Sequence, residues 1–226
     1  PQFERYDMKL RYPLSVAILI TTLFAMNAMY GASSHKEPAV ARASFRPDGQ
    51  IVLPVGYRQW QHVGTRYKPD GLKILDGLPA KTPEVLNAYV QPSAFEIFEK
   101  SGQWPDGTQI VKEFSAVEVG AGCDGNTHVC TNDLGRGLYE SHFNGLGMMV
   151  KDARRFPSAP GHWGYFSFGH KPPPYDAVAT VSLRASCSSC HERLATDTDY
   201  VISRAHIGLD DGQKLRLPLH DSKPTP

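Results

Sequence analysis

What the chain lacks most plainly is net charge. Its 24 Lys and Arg residues stand against 23 Asp and Glu, leaving +1, so no summed field draws it toward nucleic acid or an anionic surface. Function has to come from a local site. Cysteine is scarce as well, at four residues, and no second pair repeats the close spacing of Cys187 and Cys190, as a structural zinc site would want. Internal repeats are missing too. Pro-Asp-Gly occurs at 47–49, 69–71 and 105–107, but at unequal intervals and with different flanks; each instance reads as a tight turn ahead of an apolar stretch.

Charge is also missing locally. From Tyr12 to Ser34 there is no Asp, Glu, Lys or Arg, and the run is most apolar from Leu14 to Tyr30, the mark of a signal peptide or a membrane span. Met8, Lys9 and Arg11 precede it, and Ala39-Val40-Ala41 offers a small-x-small cleavage pattern behind it. That pattern lies well beyond the apolar run, so the expectation is a retained transmembrane signal-anchor helix. The basic residues would then stay on the cytoplasmic side and the remaining chain would face the periplasm. Cleavage would instead give a secreted domain.

What remains is enough for a core, since 226 residues at 41% hydrophobic content suit one globular domain. The organisation expected is an N-terminal segment over 1–34, a linker over 35–47 and a folded domain over 48–226. Stretches at 50–55, 84–91, 109–119, 137–151 and 162–168 are mostly β-branched and aromatic, which predicts a mainly antiparallel β fold. Two flanking helices are expected. One runs from Pro92 to Lys100 with Gly102 as its stop; the other runs from about Ser182, as N-cap, to Ala195. Residues 199–209 admit either strand or helix. Cys123 and Cys130 bracket a polar loop and are expected to pair as a disulfide, which fits an oxidising compartment.

The second helix carries the chemistry. Cys187-Ser188-Ser189-Cys190-His191 places two thiols at i and i+3 on one helical face, followed at once by an imidazole. That is the spacing for two thioether bonds to one haem c with His191 as the axial ligand of its iron. The opposite coordination position is open to several candidates: Met148, Met149, His142, His162, His170 and His206. Each of them is more often an ordinary core or surface residue.

Several runs elsewhere belong with this motif. Tyr57-Arg58-Gln59-Trp60, Val63-Gly64-Thr65, Tyr89-Val90-Gln91-Pro92 and Pro105-Asp106-Gly107-Thr108 with Val111-Lys112-Glu113 come first. Gly145-Leu146, Val150-Lys151-Asp152, Arg155-Phe156, Trp163-Gly164-Tyr165-Phe166 and Thr198 to Arg204 follow in order. Over about 48–210 the chain resembles the cytochrome P-460 family, to which the cytochromes c′-β are related. The resemblance implies a mainly antiparallel β domain with flanking helices, a homodimer, and a five-coordinate haem with an open distal side. It implies oxidation of hydroxylamine in one branch and binding of nitric oxide in the other. The branch marker, a lysine bonded to the porphyrin edge, falls on Lys112, which makes that residue both a cofactor-binding and a catalytic candidate. On a strand Lys112 would share a face with Ile110 and Phe114, an odd place for a free ammonium.

Two positions depart from the family pattern. Leu86 stands in place of a distal arginine, and Gly147 in place of a proton-relaying carboxylate. Glu140 and His142 are the nearby substitutes, but strand parity points them away from Gly147. The leading expectation is a periplasmic, membrane-anchored haem protein that oxidises hydroxylamine or a related small nitrogen species and passes electrons to a redox partner protein. The alternatives are a nitric oxide binder and an accessory haem subunit of a membrane complex.

Overall fold

The computed structural model describes residues 39–68, 78–80, 83–182, 185–203 and 206–209. The chain divides into two units, Pro1–Pro38 and Ala39–Pro226, and all described residues lie in the second. The expected N-terminal helix therefore falls outside them. Among the described residues no helix is long and apolar enough to cross a membrane.

The second unit is mainly antiparallel β. Its strands are β1 (Ile51–Val52), β2 (Gln61–Lys68), β3 (Glu84–Val90), β4 (Gln109–Val117), β5 (Cys130–Asn132), β6 (Gly135–Gly137), β7 (Glu140–Lys151), β8 (Trp163–Ser167) and β9 (Val178–Ala179). The helices are α1 (Pro92–Ser101) and α2 (Ala185–Ala195). Five strands form the central sheet in the order β2-β3-β4-β7-β8, while β1 pairs with β9 and β5 with β6. All these pairings are antiparallel.

Alternation along β4 separates two faces of the sheet. Val111 packs with Tyr57, Leu146, Met148, Val150, Phe166 and Phe168 on one side. Ile110 packs with Val63, Ala88, Val90, Met149, Trp163 and Val201 on the other. The first side is built around Glu113, which is wholly buried. Its Oε1 accepts from Tyr57 Oη at 2.7 Å and Tyr175 Oη at 2.8 Å, and its Oε2 from Arg58 Nε at 2.9 Å. Four donors thus meet one carboxylate, counting Arg58 Nη2 on Oε1 at 2.5 Å, which offsets the cost of burying its charge.

α1 begins with Pro92, whose missing N–H costs nothing in a first turn. It ends at Gly102, with φ 70° and its N–H bonded to Phe98 O at 2.7 Å. α2 is described from Ala185, and the expected cap at Ser182 turns on residues 183–184, which lie outside those described. Ser182 N donates to Tyr165 O at 2.7 Å, extending the edge contact that Val181 makes with Phe166. Residues 199–203 and 206–209 form turns and bends rather than a strand or long helix. Residues 39–47 lie against the domain: Gln91 Nε2 and Gln109 Nε2 both donate to Ala41 O, and Phe45 packs edge-on against Phe166. Cys123 and Cys130 are bonded as a disulfide.

Candidate functional site

β4 positions Lys112, and its register shows what surrounds it. Lys112 faces Ala88 on β3 and Gly147 on β7, Ala88 faces Gly64 on β2, and Gly147 faces Ser167 on β8. One row across the whole sheet therefore holds a single long side chain among four small ones. Large residues flank this row on either side, with Ile110 and Met149 in one neighbouring row and Leu86 and Phe114 in the other.

α2 approaches the same face. The His191 ring packs at 4.8 Å from the Tyr165 ring, centroid to centroid, and Tyr165 pairs with Met149, one row from Lys112. His191 Nδ1 lies 2.6 Å from Tyr200 O. A carbonyl only accepts, so Nδ1 carries the proton and Nε2 keeps a free lone pair. Burial lowers the His191 pKa; the Tyr200 bond opposes this and the positive charge of Lys112 assists it. The ring is held neutral, the form that binds a metal.

Lys112 is partly buried, and among the described residues no carboxylate pairs with it. Burial first, and Arg66 second, lower its pKa to about 8, with Cys190 acting in the opposite sense. Near neutral pH a measurable fraction is therefore free amine. Cys187 acts electrostatically on Tyr165 as Cys190 does on Lys112, which places both thiols on the same side of the sheet as Lys112. Neither cysteine is bonded, although Cys123 and Cys130 of the same chain are.

These observations test whether a haem c suits the residues present. Two unbonded, partly buried thiols at i and i+3, an imidazole with its metal-binding nitrogen free, and a row of small residues on the sheet face beside them fit that group. A bare metal ion does not fit, since among the described residues no three His, Cys, Asp or Glu side chains gather to hold one.

The other candidates separate. Met148 lies in the core on the opposite face and His170 is taken up by Glu84, its Nε2 at 2.5 Å from Oε1. His142 is exposed beside Ser141, and His162 Nδ1 contacts Phe156 O at 3.2 Å. Met149 shares the Lys112 face but packs into its core. His206 is the one brought close to Lys112: it is buried, and burial together with Lys112 pushes its pKa down to about 4. Gly64 permits this approach. A Cβ at Gly64 would stand 2.9 Å from the Cα of His206. Glu140 bonds Asn87 and Ser115, both on the Glu113 side, so it points away from Gly147 as parity requires. Parity survives there because two register shifts interrupt the pairing of β4 with β7.

Sequence reasoning missed three contributors. Arg66 pairs with Leu86, so an arginine reaches this face from β2 where β3 has none. Tyr165 had a signal in the Trp-Gly-Tyr-Phe run. Tyr200 acts through its backbone carbonyl and leaves no trace in residue type. Compared with known proteins, the chain matches the family model described as Cytochrome P460 over residues 54–203, from just before Tyr57 to just beyond Tyr200. No curated protein matches it.

Proposed function

The chain belongs to the cytochrome P460 family, whose members bind haem, and on that premise we propose a periplasmic c-type haem protein that oxidises hydroxylamine or a related small nitrogen species. Cys187 and Cys190 would hold one haem c per chain through thioether bonds, and His191 would ligate its iron. When bound, the haem iron supplies one-electron redox chemistry and an open position for a small nitrogen ligand. The observation that best supports this reading is that Cys190 and His191, both on α2, lie within electrostatic reach of Lys112, whose row on the sheet otherwise holds small residues.

Each residue has a part in this reading. His191 presents Nε2 because Tyr200 O holds the proton on Nδ1. Lys112, whose pKa burial lowers to about 8, would stand beside the porphyrin edge, the position at which the family resemblance places a cross-linking lysine. Ala88 and Gly147 leave room on either side of it, and Arg66 sets a positive charge at the margin. The disulfide at Cys123 and Cys130 supports an oxidising compartment. A membrane anchor within 1–34, a homodimer and a redox partner protein complete the proposal.

One observation favours a second reading, a nitric oxide binder without turnover. The row that holds Lys112 contains no carboxylate, and the buried carboxylate two residues beyond Leu86, Glu84, is bonded to His170 and Asn144. Oxidising hydroxylamine releases protons with electrons, and a pocket without a base does that slowly.

Acid-acetone extraction and visible spectra of the purified full chain test these readings. Haem should stay with the denatured wild-type protein and be lost in the double variant Cys187→Ala, Cys190→Ala. A Lys112 cross-link should carry the reduced Soret band far to the red, and Lys112→Ala should return it to an ordinary c-type position. Pigment that washes out of the wild type ends the haem c reading. A wild-type spectrum equal to that of Lys112→Ala removes the cross-link and favours the nitric oxide binder.

A further inference from the structure

The turn after α2 is held in an unusual backbone state. Asp199 and Tyr200 both have positive φ, 53° and 62°, and two successive side-chain-bearing residues in the left-handed region persist only where their surroundings over-determine them. Four contacts do so here. Trp163 Nε1 donates to Asp199 O at 2.8 Å. Lys151 Nζ pairs with the Asp199 carboxylate, both side chains being less than one-fifth exposed, and the ammonium lies 5.7 Å from the Trp163 ring centroid. Tyr200 N donates to Ala195 O at 2.6 Å. The Tyr200 ring also lies over Gly161, where any Cβ would collide with it.

These contacts leave one group in a useful place: Tyr200 O, 2.6 Å from His191 Nδ1. A carbonyl accepting from Nδ1–H draws the proton away from the ring and makes Nε2 a stronger donor. Stronger donation stabilises the oxidised metal over the reduced one. If the turn relaxed to negative φ, the carbonyl would swing and that bond would lengthen.

Building on the haem reading above, we infer that Lys151, Asp199 and Trp163 form a clamp that holds the Tyr200 carbonyl on His191 and so sets the donor strength of His191 toward the iron. The three are positioning residues. None borders the Lys112 row, and their effect on the iron passes through one backbone carbonyl.

The test compares the reduction potential and the iron–histidine stretching frequency of the haem-loaded full chain in wild type, Lys151→Met, Lys151→Arg and Asp199→Asn. Asn accepts a left-handed φ and keeps the size of Asp, so that variant removes the ion pair with the least disturbance. The clamp requires Lys151→Met and Asp199→Asn both to raise the potential and both to lower the frequency, with Lys151→Arg close to wild type. Lys171→Met, which breaks the exposed pair with Asp176, should change neither. A merely coulombic role gives a different pattern: losing the cation lowers the potential, losing the anion raises it, and the frequency stays fixed. That pattern, or wild-type values in both variants, overturns the clamp. Should Lys151→Met fail to hold its haem, the frequency in Asp199→Asn decides. Pigment lost from the wild type would overturn the haem reading itself, which distinguishes the two failures.

Discussion

At the scale of single residues, the site turns on what stands beside Lys112. Gly147 faces it directly across β4 and β7, so a carboxylate introduced there would sit next to the amine and within the same row. Gly147→Glu is expected to raise hydroxylamine oxidation, since a positioned base contributes about 10²-fold or more, while Gly147→Gln leaves it unchanged. Steady-state turnover with an artificial electron acceptor checks this, and equal rates in all three proteins would show that a missing base is not what limits the reaction. Lys112, Cys187, Cys190 and His191 were legible in the sequence because residue type and spacing declare them. The structure adds that Cys190 and His191 lie within electrostatic reach of Lys112. Arg66 was not legible as a neighbour of this site, because its relation to Leu86 exists only in the pairing of β2 with β3. The partner of His191 was hidden for a different reason: a main-chain oxygen is present at every position, and only the turn at 199–200 selects this one.

At the scale of elements, strands dense in apolar and β-branched residues were readable and those without them were not. β3, β4, β7 and β8 fall inside stretches expected to be extended, because their apolar and β-branched residues are dense. β2 escaped notice. It is an edge strand that buries only Val63 and Gly64, and a mid-strand glycine reads as a break although here it makes room for His206. α1 was readable from its ends, with Pro92 at the first turn and Gly102 at the stop. Gly102 has φ 70°, and a methyl group added there would meet nothing within 4 Å, so Gly102→Ala isolates backbone strain from packing. It is expected to destabilise the domain by about 1 kcal/mol, measured as a lower urea midpoint with unchanged slope.

At the scale of the whole molecule, stability should depend on pH through the buried histidine near Lys112. His206 has a folded-state pKa of about 4 against an ordinary 6.5, so between those values the unfolded chain binds the proton and the folded one does not. Stability therefore falls as pH drops from about 6.5 toward 4. Asp106, held below its ordinary 3.8 by bonds from Ala153 and Arg42 despite some desolvation, acts only at lower pH and does not confuse this window. Urea unfolding at pH 7 and pH 4.5 should show the loss, and His206→Leu should flatten it; an unchanged slope in that variant would assign the effect elsewhere. The mainly antiparallel β architecture follows from stretches dense in β-branched and aromatic residues, whereas the membrane-span expectation concerns residues outside those described. Glu113, gathering the hydroxyls of Tyr57 and Tyr175 and the guanidinium of Arg58, has a further consequence because it is the immediate neighbour of Lys112. If β4 slid by one residue, the carboxylate would leave its four donors for the row of small residues, and the ammonium would be thrust beside the Arg58 guanidinium, a like charge. Both halves of that error are penalised at once, so the bonds on one face of the sheet proofread the strand alignment that keeps Lys112 on the other.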